Sequence, residues 1–148
     1  MDFSQFDSRT ASDDGRYMHA KHPATGELLL DGDKPCEVLC RGSEGRDVQT
    51  EIAKMRAANV ALQDAKEDGA DEQTLSVLHK KLVQAVKPLI AGFRNIERGD
   101  KPAQAPHDVA WFLDLNMLNG QPGEVSFAEQ IAAFSTRRAN FLGKSSES

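Results

Sequence analysis

Excess positive charge is missing from this chain, and so are long apolar runs and a cysteine framework. Lysine and arginine number 18 against 23 aspartates and glutamates, a formal net of −5. Binding to nucleic acid needs a basic face that displaces counterions, so no nucleic-acid partner is expected. No stretch approaches the roughly 18 consecutive apolar residues of a membrane span, so no membrane association is expected. The N-terminus MDFSQFDSRT has neither a basic start nor an apolar run, and a signal peptide is not expected. Two cysteines in 148 residues do not build a disulfide scaffold. The motifs G-x-S-x-G, H-E-x-x-H, the P-loop and G-x-G-x-x-G are all lacking, and no nucleophile, base and orienting group stand in recognisable order, so an enzyme is not expected. These absences leave a soluble, cytosolic, single-domain protein, long enough to hide roughly 68–70% of its unfolded surface.

What is present is unevenly placed. Residues 1–70 hold 9 basic and 14 acidic groups, whereas residues 71–148 hold 9 of each, so the whole acidic surplus lies in the first half. Six of the nine aromatics lie in the neutral second half: Phe93, Trp111, Phe112, Phe127, Phe134 and Phe141. An aromatic, charge-balanced helical half suits a partner-binding groove, and core filling is the competing explanation for each ring. Trp111 stands apart because Val109, Phe112 and Leu113 already take the apolar side of its helix.

Residues 1–16 are polar and acidic, with Phe3 and Phe6 as the only anchors, and are expected to form a flexible arm. Residues 17–41 predict a small β-meander: Tyr17–Lys21 and Glu27–Leu30 flank the turn Pro23-Ala24-Thr25-Gly26, and Cys36–Arg41 follows the turn Asp31–Pro35. Residues 44–142 carry helical spacing. Val48, Ile52, Met55, Asn59 and Leu62 line one stripe after a Ser43 cap, ending near Asp68-Gly69. Asp71 is placed to cap a second helix carrying Leu75, Leu78, Leu82, Val86, Leu89 and Phe93, with a kink or break at Pro88. Asp108 can cap a third helix bearing Val109, Phe112, Leu113 and Leu118, and Gly120-Gln121-Pro122-Gly123 breaks it. Ser126-Phe127-Ala128-Glu129 has the pattern of a capping box opening a last helix with Phe127, Ile131, Phe134 and Phe141. Arg137, Arg138 and Lys144 fall in its last turns, and residues 143–148 form a tail. The fold class is therefore mainly α within α+β: about four helices with a small N-terminal hairpin or meander.

Two sets of side chains invite a chemical reading. His19, His22, Cys36 and Cys40 have zinc-ligand types, but Cys36 and Cys40 would stand about 13 Å apart on an ideal strand, too far for one ion without a bulge. Exposed histidines at a turn and cysteines packed as small core residues explain the same pattern, and no metal or cofactor is called for. His79, beside Lys80-Lys81, reads as a boundary histidine, and His107 as part of a capping segment. The carboxylates Glu51, Asp64, Glu67 and Asp68 read as a solvated helix face.

Three segments in order carry a family resemblance. They are His22-Pro23-Ala24-Thr25-Gly26-Glu27; Leu89-Ile90-Ala91-Gly92-Phe93-Arg94-Asn95-Ile96 with the Gly99–Pro102 loop and the 109–115 helix; and Phe127…Glu129-Gln130-Ile131…Phe134…Arg138-Ala139-Asn140-Phe141-Leu142. Over about residues 17–142 the chain resembles the tail assembly chaperones of long-tailed, noncontractile bacteriophages, with Phe93 where Trp is common. The resemblance implies a protein that binds the long, helical tape measure protein, holds it soluble in the host cytoplasm, helps recruit tail tube subunits and is absent from the mature virion. Self-association into a homo-oligomer is compatible with that role. Phe93, Trp111, Phe134 and Phe141 are the candidate partner contacts. The family often makes a longer product by a −1 ribosomal shift, and Leu142-Gly143-Lys144 can be encoded around the slippery heptamer G GGA AAG. The alternatives are a structural component that stays in the virion and a small zinc-stabilised adaptor.

Overall fold

The computed structural model describes residues 1–116 and 124–142. Leu118, the Gly120–Gly123 breaker and the 143–148 tail, with Lys144 and Gly143 of the slippery site, lie outside the described residues. Among the described residues five α-helices and three small antiparallel sheets form an α+β fold. None of the described helices is long and apolar enough to cross a membrane.

Residues 1–16 differ from the expected flexible arm, because from Ser8 onward they fold onto the body. A 3-10 turn at Phe3–Phe6 leads into α1 (Ser8–Asp14), whose Ser8, Ala11 and Ser12 are buried. Those positions share one helical face, and their side chains are small, so no hydrophobic signal marked them. Ser12 O accepts the Gly42 N–H at 3.0 Å, and a Cβ at Gly42 would collide with the Ser12 side chain and lie 3.0 Å from the Phe141 ring. Asp13 accepts from the Arg46 N–H at 2.6 Å and faces Arg41 at 3.7 Å, tying the acidic segment to the loop after the sheet.

The meander is present with an altered order. Strand β1 (Arg16–His19) is followed by the short β2 (Leu30–Asp31) and β3 (Lys34–Pro35) pair and then by β4 (Glu37–Cys40). The Pro23–Gly26 turn closes as expected, with Gly26 N–H to His22 O and His22 N–H to Glu27 O, both at 2.8 Å. Gly26 has φ of +77°, the left-handed conformation the turn needs. Yet β1 pairs with β4, register Arg16 to Cys40 through His19 to Glu37, and the predicted hairpin arms are joined by a Lys21–Leu28 bridge and by the Leu29 N–H to Ala20 O bond at 3.0 Å rather than by a ladder.

Helix α2 (Gln49–Glu67) buries Ile52, Met55 and Leu62, the predicted stripe, with Val48 buried at its start. Ser43 does not cap it: Ser43 is buried and its N–H donates to Ser135 O at 2.8 Å, because residues 42–48 cross the end of the last helix before α2 begins. Helix α3 (Glu72–Val86) starts at Asp71, whose carboxylate accepts the Thr74 N–H at 2.8 Å as expected. Helices α2 and α3, joined by a short turn, pack most extensively against each other.

The helix expected to run on to about Arg98 ends sooner. Pro88 lies in a 3-10 turn at Lys87–Leu89, and β5 (Ile90–Arg94) then pairs antiparallel with β4, with an irregularity at Leu39–Cys40. Leu89 and Phe93 stand four apart, a spacing helices and strands both allow, so pairing with β4 rather than local pattern decides. The order of the main sheet is β1-β4-β5. A small hairpin, β6 (Glu97–Arg98) and β7 (Lys101–Pro102), precedes the short α4 (Val109–Leu113). Asp108 does not cap α4 with its side chain; its carboxylate turns back to the Gln104 N–H at 2.8 Å and to Arg98 at 3.0 Å.

Helix α5 (Phe127–Ser135) opens with the predicted capping box and stops nine residues in, followed by a 3-10 turn at Arg138–Phe141. Arg137 and Arg138 therefore lie beyond it. The shared core joins Val38 and Cys40 of the sheet, Met55 and Leu62 of α2, Leu82 and Val86 of α3, Phe112 of α4 and Ile131 of α5.

Candidate functional site

One groove runs between the outer faces of α2 and α3, with a volume of about 860 Å³. From α2 come Ala57, Ala58 and Ala61, and from α3 Val77, Leu78 and Ala85. On α2 Ala61 lies three or four positions from Ala58 and Ala57, forming one lengthwise apolar strip, whereas on α3 Lys81 stands between Leu78 and Ala85. Alanine on one wall lets a third helix approach toward the close end of the usual 8–10 Å interaxial range. The rim carries Lys54, Lys80 and Lys81 against Glu51. Val77 is 49% exposed although it is β-branched and apolar. An apolar floor with a positive rim between two helices has the form of a helix-binding groove, in which a partner helix lays down an apolar face and meets the lysines with acidic flanks.

A second groove, of about 530 Å³, lies between the β1 end, the Pro23 turn and α5. Gln130 fixes its base: its side chain bonds the Lys21 N–H at 3.0 Å, Lys21 O at 2.9 Å and Val125 O at 3.1 Å. Met18, Leu28, Ala133 and Phe134 supply apolar surface, and Lys21 and Arg137 supply charge.

Of the four predicted contact residues, Phe134 and Phe141 meet ring to ring, while Phe93 and Trp111 pack on other partners. Phe93 is half-buried on β5 and meets Phe112 at 5.2 Å between ring centroids; Phe112 stacks on Phe127 at 4.6 Å. Trp111 is half-buried with the Arg98 guanidinium 5.4 Å from its ring centroid, while Val109, Phe112 and Leu113 are buried as expected. Phe134 is half-buried and lines the second groove. Phe141 departs from the expectation of an open contact residue: it is 1% exposed, edge to face with Phe134 at 5.6 Å, and part of the core. Its ring closes the gap between α5 and α1, where small side chains alone would leave a void.

His19, His22, Cys36 and Cys40 are dispersed into separate roles. His19 Nε2 lies 2.8 Å from Leu29 O, and His22 Nδ1 accepts from the Ala24 and Thr25 N–H groups at 3.1 and 3.2 Å. Cys40 is fully buried, and burial pushes its thiol pKa far up; burial and the nearby Asp31 raise that of Cys36. Among the described residues no group of three or more His, Cys, Asp and Glu side chains is placed to hold a metal ion.

His79 is buried rather than at the boundary, with Nε2 3.1 Å from Ser126 Oγ. Beside it the buried Glu129 accepts the Ser126 N–H at 2.9 Å through Oε1, and Gln63 at 2.8 Å and Lys66 at 2.9 Å through Oε2. Burial pushes the Glu129 carboxyl up, but these bonds from Gln63, Lys66 and Ser126 outweigh it, so its pKa lies below the ordinary value. For His79 burial dominates over the Glu129 and Asp114 charges and lowers its pKa. Neither groove-lining set includes His79 or His107, and Ser126 is buried. The cluster's visible work is to lock α5 onto α2 and α3.

Sequence reasoning weighed aromatics and passed over the alanine face. Its signal was the run Ala57-Ala58-Asn59-Val60-Ala61, a second apolar sector outside the predicted stripe. Compared with known proteins, the chain matches no family model, no curated protein and no solved structure.

Proposed function

We propose that this protein is a non-enzymatic tail assembly chaperone of a long-tailed, noncontractile bacteriophage, acting in the host cytoplasm on the tape measure protein. The observation that carries the reading is the α2–α3 groove, whose lengthwise apolar floor and lysine rim suit an amphipathic helix with acidic flanks. A very long apolar helix aggregates unless its face is covered, and a surplus of negative charge on the binder keeps the complex soluble. The three ordered sequence segments support the same reading. Recruitment of tail tube protein and absence from the finished particle belong to this proposal as well.

Co-expression with the long reading frame of the same phage tests it. The wild-type chain is expected to move that partner into the soluble fraction. Ala61→Glu, at an exposed position on the groove wall, should abolish the effect while circular dichroism stays unchanged. A partner that stays equally soluble with and without the chaperone, or equal rescue by Ala61→Glu, refutes the groove assignment. Abundant peptides of this chain in purified virions would instead identify a structural component.

A further inference from the structure

The N-terminal turn presents an aromatic pair that fills no core. Phe3 and Phe6 meet edge to face at 5.5 Å while 71% and 52% exposed, and Met1 before them is 97% exposed. The turn is held at both ends. Asp2 accepts from the Ser4 N–H at 2.9 Å, and Asp7 accepts from the Thr10 N–H at 2.9 Å and its hydroxyl at 2.8 Å. Those bonds keep both carboxyls below the usual carboxylate range, so the rings are flanked by two fixed negative charges at neutral pH. Two preset rings on a capped turn lose little conformational freedom on docking.

We propose that this acidic aromatic knob docks into the second groove, between β1 and α5, of another copy of the chain. The groove has an apolar floor that includes Met18, Leu28 and Phe134, with Lys21 and Arg137 for the carboxylates; none of its described lining residues is acidic. The α2–α3 groove carries three lysines but also Glu51, which would face the knob's carboxylates. The chain's own knob does not occupy the β1–α5 groove, since its rings remain exposed, which leaves both patches open to a neighbouring copy. Knob and groove are different patches, which makes the contact heterologous: each added copy leaves one free knob and one free groove.

Sedimentation equilibrium on the full chain tests this. The wild type is expected to self-associate with rising concentration and to dissociate as salt screens the carboxylate–cation attraction. Phe3→Ala/Phe6→Ala removes the knob, and Lys21→Glu/Arg137→Glu reverses the groove. All four side chains are exposed, so both variants should fold as the wild type does. Each alone should associate roughly tenfold or more weakly. Mixed in equal amounts they should form a one-to-one heterodimer, because one brings an intact groove and the other an intact knob. A strictly monomeric wild type, variants that associate as the wild type does, or a mixture that stays monomeric would each overturn the proposal.

Discussion

Replacing Lys66 by methionine removes one side of the buried pair that fastens α5 to α2. The Lys66 side chain is 18% exposed and Glu129 only 4%, with Nζ 2.9 Å from Oε2 and 3.4 Å from Glu124 O. Taking one partner from a buried pair costs about 3–5 kcal/mol when the remaining charge has nothing else. Glu129 keeps Gln63 and the Ser126 N–H, so the expected loss at neutral pH is about 2–3 kcal/mol. In a chain of this size that lowers Tm by roughly 4–12 °C. The pH dependence distinguishes this cause from simple loss of packing. In the wild type the folded carboxyl is depressed, so its contribution is full above the unfolded value of about 4.3 and is lost as pH falls through the folded value. In Lys66→Met burial has less to oppose it and the folded carboxyl rises above about 4.3. Its cost then grows as pH rises through that window, so the variant lags most at pH 7 and least near pH 4. Urea unfolding followed by far-UV circular dichroism and Trp111 fluorescence at both pH values measures the gap. A loss under about 0.5 kcal/mol, or one of equal size at both, refutes the reasoning.

The remaining predictions concern the close approach at α1, the buried histidine and the two thiols. Gly42→Ala should lower stability by about 1–3 kcal/mol, read by denaturant midpoint, because its methyl meets Ser12 and Phe141. Burial holds the His79 pKa below its ordinary value, so the unfolded chain takes the proton first and stability should fall as pH drops through about 6.5 toward the folded value; His79→Gln should flatten that slope. A thiol reagent should label Cys36 before Cys40, with Cys40 reacting only on unfolding; equal native rates would contradict its burial.

Local rules were legible wherever one side chain and one short segment suffice. The Ser126 capping box, the Asp71 cap, the Pro23–Gly26 turn and the Ile52–Leu62 stripe are where spacing puts them. The candidate site was less legible. Trp111 was set apart by its position off the apolar side of its helix and is half open, whereas Phe141 gave no such signal and its burial against α1 depends on residues far off in the chain. The alanines of the α2–α3 groove matter only because two helices stand side by side, so their value could not be read from either helix alone.

By itself the sequence determined the α+β class, the helix starts at Asp71 and Ser126 and the break at Pro88, because each depends on bonds and sterics within a few residues. Tertiary structure alone decided that Ser8–Asp14 is docked, that Ile90–Arg94 is a strand, and that His19, His22, Cys36 and Cys40 part company. Each of these rests on a partner distant in the chain: Gly42 for α1, β4 for β5, Leu29 O for His19. The place where Lys54, Lys80 and Lys81 gather on a groove was a matter of packing.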